Sequence, residues 1–82
     1  MTKEMIDTIG SRMVTKARLV NRFLERWREG KEEGSLRAYP FYSEFQGMRQ
    51  LLQAMGVIFD IEYDDDAIKM TAITIMGERF EV

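Results

Sequence analysis

The stretch GVIFDIEYDDDAIKMTAITI, from Gly56 to Ile75, decides the fold of this chain. Beyond Gly56, apolar and polar residues alternate, which is the period of a β-strand with one buried face. A second alternating run begins at Ile68, and the acidic run Asp64–Asp66 between the two indicates a turn. The stretch therefore predicts a β-hairpin.

The character of the side chains predicts the register of this hairpin. With Asp65 and Asp66 at the tip, apolar residues face apolar ones across the two strands, and the remaining pairs match in charge or polarity. The predicted pairs are Tyr63 with Ile68, Ile61 with Met70, Phe59 with Ala72, Glu62 with Lys69, and Asp60 with Thr71.

The alternation slips after Ala72, and two explanations remain open. A β-bulge near Ala72 and Ile73 would return Ile75 to the core face, and this explanation is favoured. Otherwise the hairpin carries a second apolar face that a partner or a second copy of the chain must cover, because a patch of that size is rarely left bare. The predicted partner interface consists of Ile58, Ile73, Ile75, Phe80 and Val82.

The N-terminal third predicts one long helix. Apolar residues recur at steps of three or four over residues 5–27, which is the pattern of a single helical face. We predict a helix from about Lys3 to Glu29, with Trp27 in the core and Gly10 tolerated at a cost of roughly 1 kcal/mol relative to alanine. The alternative is a short first helix that ends near Gly10 and a second one capped by Ser11.

A second helix and a third strand complete the predicted order. Gly30–Pro40 holds glycines, charges and a proline and indicates a loop. SEFQ, Ser43–Gln46, fits the capping box of a helix that ends at Gly56. Gly77-Glu78 suits a tight turn into a short strand. The sequence predicts an α+β fold of order ααβββ, in which two helices pack on one face of a small antiparallel β-meander in a single domain, residues 1–82.

The composition argues against catalysis. The chain of 82 residues contains no histidine and no cysteine. Histidine is the usual general base near neutral pH and the commonest metal ligand, and cysteine supplies thiolate ligands and nucleophiles. We therefore predict a protein that is not an enzyme and that has no cofactor and no metal site.

The location is predicted from what the chain lacks. No apolar run approaches the roughly 18 residues of a membrane span. Residues 1–10 show no continuous apolar run of the kind found in a secretory signal. A cytoplasmic location without membrane contact is the expectation.

The acids of the hairpin form the first candidate site. Asp60, Glu62 and Asp64–Asp66 fall within seven residues, and carboxylates are ligands that Mg²⁺ and Ca²⁺ accept. The spacing of an EF-hand loop is absent, however. Aspartates favour turns, and charges on the outer face of a hairpin discourage edge-to-edge aggregation. We interpret these acids as a turn and a solvated face.

Cations on the first helix form the second candidate site. Residues 1–40 carry a net charge of +3 and residues 41–82 a net charge of −5. Residues four apart on a helix share one face, so the cations form a ridge that could follow a phosphate backbone, contact an acidic partner, or face water. The candidate contact residues are Arg12, Lys16, Arg18, Arg22 and Arg26.

These observations together predict a small non-catalytic module that binds another protein. We expect it to associate with itself, as a dimer, or with a different chain. The alternative hypothesis is an accessory protein that binds nucleic acid through the basic face of the first helix.

Overall fold

The long N-terminal helix forms as its periodicity predicts. The computed structural model describes all 82 residues. Helix α1 spans Lys3–Arg28 with a buried stripe along its length. The Oγ1 atom of Thr2 caps its start by accepting a hydrogen bond from the N–H of Met5 at 3.2 Å. The helix continues through Gly10, so the single-helix prediction is confirmed and the alternative is wrong.

The second helix begins earlier than predicted. Helix α2 spans Pro40–Ala54, after a loop that contains a short 3₁₀ turn at Leu36–Ala38. The capping box predicted at Ser43–Gln46 is wrong, because these residues lie inside the helix. Proline suits the first turn, where its missing N–H has no helical partner, so Pro40 starts the helix. Gly56, with φ of +71°, follows its end as predicted.

Three antiparallel strands follow the helices. Strand β1 spans Phe59–Tyr63, β2 spans Met70–Ile75 and β3 spans Glu78–Glu81, in the spatial order β1-β2-β3. The predicted order ααβββ and the α+β class are confirmed. The turn between β2 and β3 is Met76-Gly77, both with positive φ, rather than the predicted Gly77-Glu78.

The register of the first hairpin differs from the prediction. The pairs are Phe59 with Ile75, Asp60 with Thr74, Ile61 with Ile73, Glu62 with Ala72, and Tyr63 with Met70. Thr71 has no partner in β1 and forms a β-bulge, next to the predicted place. The register shifts because the turn is longer than two residues. The Asp64 N–H donates to the Lys69 carbonyl at 2.9 Å, so the turn spans Asp64 to Lys69.

The bulge brings the apolar residues of β2 to one side. Met70, Ile73 and Ile75 are all buried, and they pack with α1 and α2 in one core. Phe80 and Val82 are partly buried against the same core. The predicted second apolar face therefore does not form as one surface. Of its five residues, Ile58 alone stays exposed, at 77 % of its full area.

Gly10 is required by packing. A Cβ atom added to it would lie 2.5 Å from the ring of Phe80, well inside van der Waals contact. The absence of a side chain lets the Phe80 ring rest directly on the helix backbone. The glycine therefore joins β3 to α1, a reason that the helical pattern alone does not reveal.

Asn21 joins α1 to the beginning of β2. Its Oδ1 accepts from the Met70 N–H at 2.9 Å, and its Nδ2 donates to the Met70 carbonyl at 2.8 Å. These bonds satisfy both backbone groups of Met70, beside the bulge. An amide within the apolar arc of a helix is the sequence signal for this contact, which was not predicted.

Trp27 is not in the core. The prediction is wrong, since 58 % of its area is exposed. The buried stripe of α1 ends at Phe23, and the last turn of the helix contacts polar segments. Arg26 forms an ion pair with Glu32 of the following loop, and Arg28 lies near Asp66 of the hairpin turn.

Candidate functional site

Two of the five candidate cations on α1 are neutralised by acids from elsewhere in the fold. Lys16 forms an ion pair with Glu44 of α2, and the Arg26 Nε lies 2.9 Å from the Glu32 Oε1. The remaining three make no ion pair, and they are Arg12, Arg18 and Arg22. The basic surface is thus smaller than the sequence predicts.

The aspartate that begins the hairpin turn organises its backbone. The Asp64 Oδ1 accepts from the N–H groups of Ile68 at 3.0 Å and Lys69 at 3.2 Å. The Ile68 N–H bond is the main reason that the pKa of Asp64 lies below its ordinary value. Asp66 lies 3.7 Å from Arg28 of α1. No group of three or more acids is arranged to hold a metal ion.

A cluster of ion pairs lies on the outer face of the sheet, the face that points away from the helices. The Arg79 Nη1 donates to Glu62 at 2.6 Å and its Nε donates to Glu81 at 2.8 Å. These bonds, to Glu81 first, raise the pKa of Arg79. Ala72 lies between the two glutamates in the sheet and is fully buried on that face. The predicted pairing of Glu62 with Lys69 is wrong, because Lys69 binds Glu25 instead.

The order β1-β2-β3 leaves two edges, and the β1 edge has unpaired backbone groups. The Ile58 carbonyl accepts from the Met76 N–H at 2.9 Å, so this residue faces β2. Orientation alternates along an antiparallel strand. The N–H and C=O groups of the odd-numbered residues therefore point away from β2. These outward-facing groups belong to Phe59, Ile61 and Tyr63. No loop or side chain forms a hydrogen bond with them.

An open groove runs beside this edge, between β1 and the C-terminal half of α2. Its volume is about 560 Å³. Ile58 is 77 % exposed and Tyr63 is 47 % exposed, so large apolar surface lines the groove in water. The lining residues are Arg49, Gln53, Gly56, Val57, Ile58, Phe59, Asp60, Ile61 and Tyr63.

Arg49 forms the helical wall of this groove. Its Nη1 donates to the Gln46 Oε1 at 3.0 Å, and Gln46 in turn donates to the hydroxyl of Tyr42 at 3.1 Å. The Nε of Arg49 is buried without a hydrogen-bond partner. The wall is therefore polar, whereas the strand side of the groove is mostly apolar.

The opposite edge, β3, also has outward-facing backbone groups, at Arg79 and Glu81, but its charged side chains discourage pairing. Its side chains Glu78, Arg79 and Glu81 are charged and exposed, and Phe80 holds the strand against Gly10. A short, charged edge strand is a poor template for another chain. The two edges of one sheet thus differ in what they offer to a partner.

A second groove lies between the two helices. It has a volume of about 710 Å³ and is lined by Arg12, Thr15, Lys16, Glu44, Gly47, Met48 and Leu51. Leu51 is 59 % exposed. The ion pair of Lys16 with Glu44 crosses from one wall to the other, so Arg12 is the one charged side chain of this groove without an ion pair.

Ile58 belongs to the predicted partner interface, but the groove and the free strand edge around it were not predicted. A usable signal was present, because a three-stranded meander always leaves its first and last strands as edges. An apolar first strand and a charged third strand then indicate which edge is open.

None of the helices combines the length and the apolar character that crossing a bilayer requires. No protein-family model, no curated protein and no solved structure matches this chain.

Proposed function

We propose that the protein is a small, non-catalytic interaction module that binds an extended segment of another protein along the free edge of β1. The observation that carries this proposal is the row of unpaired backbone groups at Phe59, Ile61 and Tyr63, beside an open and partly apolar groove. Backbone pairing supplies affinity in this binding mode, and the side chains that alternate along the added strand supply specificity.

The groove supports binding rather than catalysis. Its ionisable side chains are Arg49, Asp60 and Tyr63, and they make no hydrogen bond to one another. A catalytic pair needs a base within hydrogen-bond reach of a nucleophile or an acid. The chain also lacks histidine and cysteine altogether.

Hydrogen exchange of single amides tests this proposal. In the free protein the amides of Phe59, Ile61 and Tyr63 should exchange fast, while those of Asp60 and Glu62, which face β2, should exchange slowly. We would titrate short synthetic peptides in which valine alternates with threonine, lysine or glutamate.

Binding of at least one of these peptides should slow exchange at the three edge amides. Equal protection at the β3 edge, or no protection with any peptide, would contradict the proposed function. A peptide with an N-methylated central valine is the matched control, because this valine can no longer donate a backbone hydrogen bond to the edge and binding should weaken.

Nucleic-acid binding is the second candidate function. Arg18 and Arg22 are exposed on successive turns of α1, and neither forms an ion pair. With Arg12 they leave three free guanidinium groups on one helix, which supports contact with phosphates.

A gel shift at low salt tests this second function. We expect an affinity that falls steeply with salt and is lost when Arg12, Arg18 and Arg22 are replaced by glutamate. Replacing the exposed loop residue Arg37 by glutamate is the control and should leave binding nearly unchanged. No shift at low salt would eliminate this candidate. Self-association and a cytoplasmic location stay predictions.

A further inference from the structure

We infer that the strand accepted by β1 is basic: an extended segment in which lysine or arginine alternates with apolar residues. This inference rests on the proposed function, because it names the partner of the same edge. It is carried by the charges on the outer face of β1 and by the apolar character of the inner face.

The outer face of β1 presents unneutralised acid. Asp60 is exposed, pairs across the sheet with Thr74, and forms no ion pair. Glu62 shares the single cation Arg79 with Glu81. Side chains of an added strand that point to the outer face would lie directly beside Asp60 and Glu62, at the distance of a cross-strand pair. Basic residues at those positions would be attracted, and acidic ones repelled.

The inner face of the same edge favours apolar residues in the added strand. Side chains of adjacent strands that lie opposite one another share a face, so the alternate positions of the added strand would meet Phe59, Ile61 and Tyr63. All three line the open groove. Apolar side chains there would cover surface that now faces water. The recognised pattern is therefore basic outside and apolar inside.

A second copy of this chain fits the edge poorly. A two-fold antiparallel pairing of β1 with itself must match outer face to outer face. Centred on Asp60, Ile61 or Glu62, such a pairing places carboxylates of the two copies opposite one another. Like charges directly opposite destabilise a strand pair. In these three registers the charge pattern disfavours self-pairing and favours a different, basic chain.

The test compares three peptides of seven residues, acetylated and amidated, in which valine alternates with lysine, threonine or glutamate. Isothermal titration and edge-amide exchange are measured for each peptide. We expect the lysine peptide to bind about tenfold or more tightly than the glutamate peptide, since attraction replaces repulsion at both outer positions. The preference should shrink as salt is raised.

A matched pair of variants locates the effect. Asp60→Lys and Glu78→Lys make the same charge change on exposed residues of the two opposite edge strands, and neither side chain forms an ion pair. Asp60→Lys should reduce binding of the lysine peptide about tenfold. Glu78→Lys should change it by less than about twofold, as expected for a screened remote charge.

Each outcome decides one of the two proposals. Equal binding of all three peptides at the edge amides would leave the proposed function standing and overturn the basic partner. Loss of binding in both variants would also overturn it, because the effect would then reflect net charge. Concentration-dependent protection of the edge amides without peptide would show self-pairing instead. No protection by any peptide would overturn the proposed function itself.

Discussion

The two edges of the sheet are built from strands of similar length but opposite character. At β3 the side chains that face solvent are charged, Phe80 is fixed on Gly10, and a two-residue turn joins the strand tightly to β2. At β1 Ile58 and Tyr63 are exposed, and a groove stays open beside the strand. Both edges have outward-facing backbone groups, and they differ in the side chains and the packing around them.

The difference between the two edges reflects which strands the helices of this 82-residue chain cover. Helix α1 contacts β2 and β3 through its buried stripe, while α2 packs on α1 beside β1 without covering the strand edge. Surface burial is scarce in a domain of this size, so one edge remains uncovered. At β3, charged side chains and the packing of Phe80 on Gly10 discourage pairing with another chain.

The largest effect on stability is expected at Asn21, which joins α1 to the central strand β2. Asn21→Ala removes the two hydrogen bonds to the backbone of Met70, a buried residue. Leaving two such groups unpaired should lower the free energy of unfolding by about 2–3 kcal/mol. Urea denaturation measures this loss. Asn21→Asp keeps an acceptor for the Met70 N–H and should cost less than the alanine change. A loss in alanine below about 0.5 kcal/mol would contradict the anchoring role.

The next largest effect on stability is expected at the contact between Gly10 of α1 and Phe80 of β3. Gly10→Ala should lower the free energy of unfolding by about 1–2 kcal/mol, because the new methyl group displaces the ring of Phe80. In a Phe80→Ala background the same change should stabilise the protein by up to about 1 kcal/mol, the helix propensity of alanine over glycine. A double-mutant cycle measures the coupling. Equal effects in both backgrounds would show that Gly10 and Phe80 are independent.

A smaller effect on stability is expected at the turn between β2 and β3. Met76 has φ of +50° and precedes Gly77, so the turn has the positive φ values of type I′. Asparagine adopts this conformation more readily than methionine, and Met76→Asn should raise the free energy of unfolding by about 0.5–1 kcal/mol. Met76→Val, with a branched Cβ, should have the opposite sign. Thermal unfolding of both variants checks the pair, and a destabilised asparagine variant would contradict the turn assignment.

The smallest effect concerns the turn that leads to the open edge. The lowered pKa of Asp64 means that its charged form is stabilised by folding. This stabilisation is complete above the ordinary pKa of aspartate, about 3.9, and is lost as pH falls through the lowered value. Asp64→Asn should therefore be less stable than the native chain at pH 6, and the gap should be smaller at pH 2. Urea unfolding at both pH values measures the gap, and a constant gap would contradict this role.

Local patterns in the sequence were sufficient for the elements and their order. The three-to-four spacing over α1 and the change to alternation after Gly56 rest on geometry within one helix or strand, and both are confirmed. The turn at Asp64–Asp66 follows from the affinity of aspartate for nearby backbone amides. The function, the partners and the location could not be decided in this way and stay predictions.

Register and exposure were less predictable, for one shared reason. The pairing of β1 with β2 depends on the six-residue turn from Asp64 to Lys69 and on the bulge at Thr71, which Asn21 supports from a distant helix. Trp27 satisfies the helical pattern but lies beyond the buried stripe of α1, which ends at Phe23. Each of these features depends on contacts between segments far apart in the chain.

The sequence by itself determined the order ααβββ, the long first helix and the acidic turn, because period and turn chemistry act over a few neighbouring residues. Contacts between distant segments decided that Ile73 and Ile75 are internal and that the ring of Phe80 packs on Gly10. These outcomes depend on which faces meet in space. A single residue of register moves a side chain from water to core, and local pattern does not specify that shift.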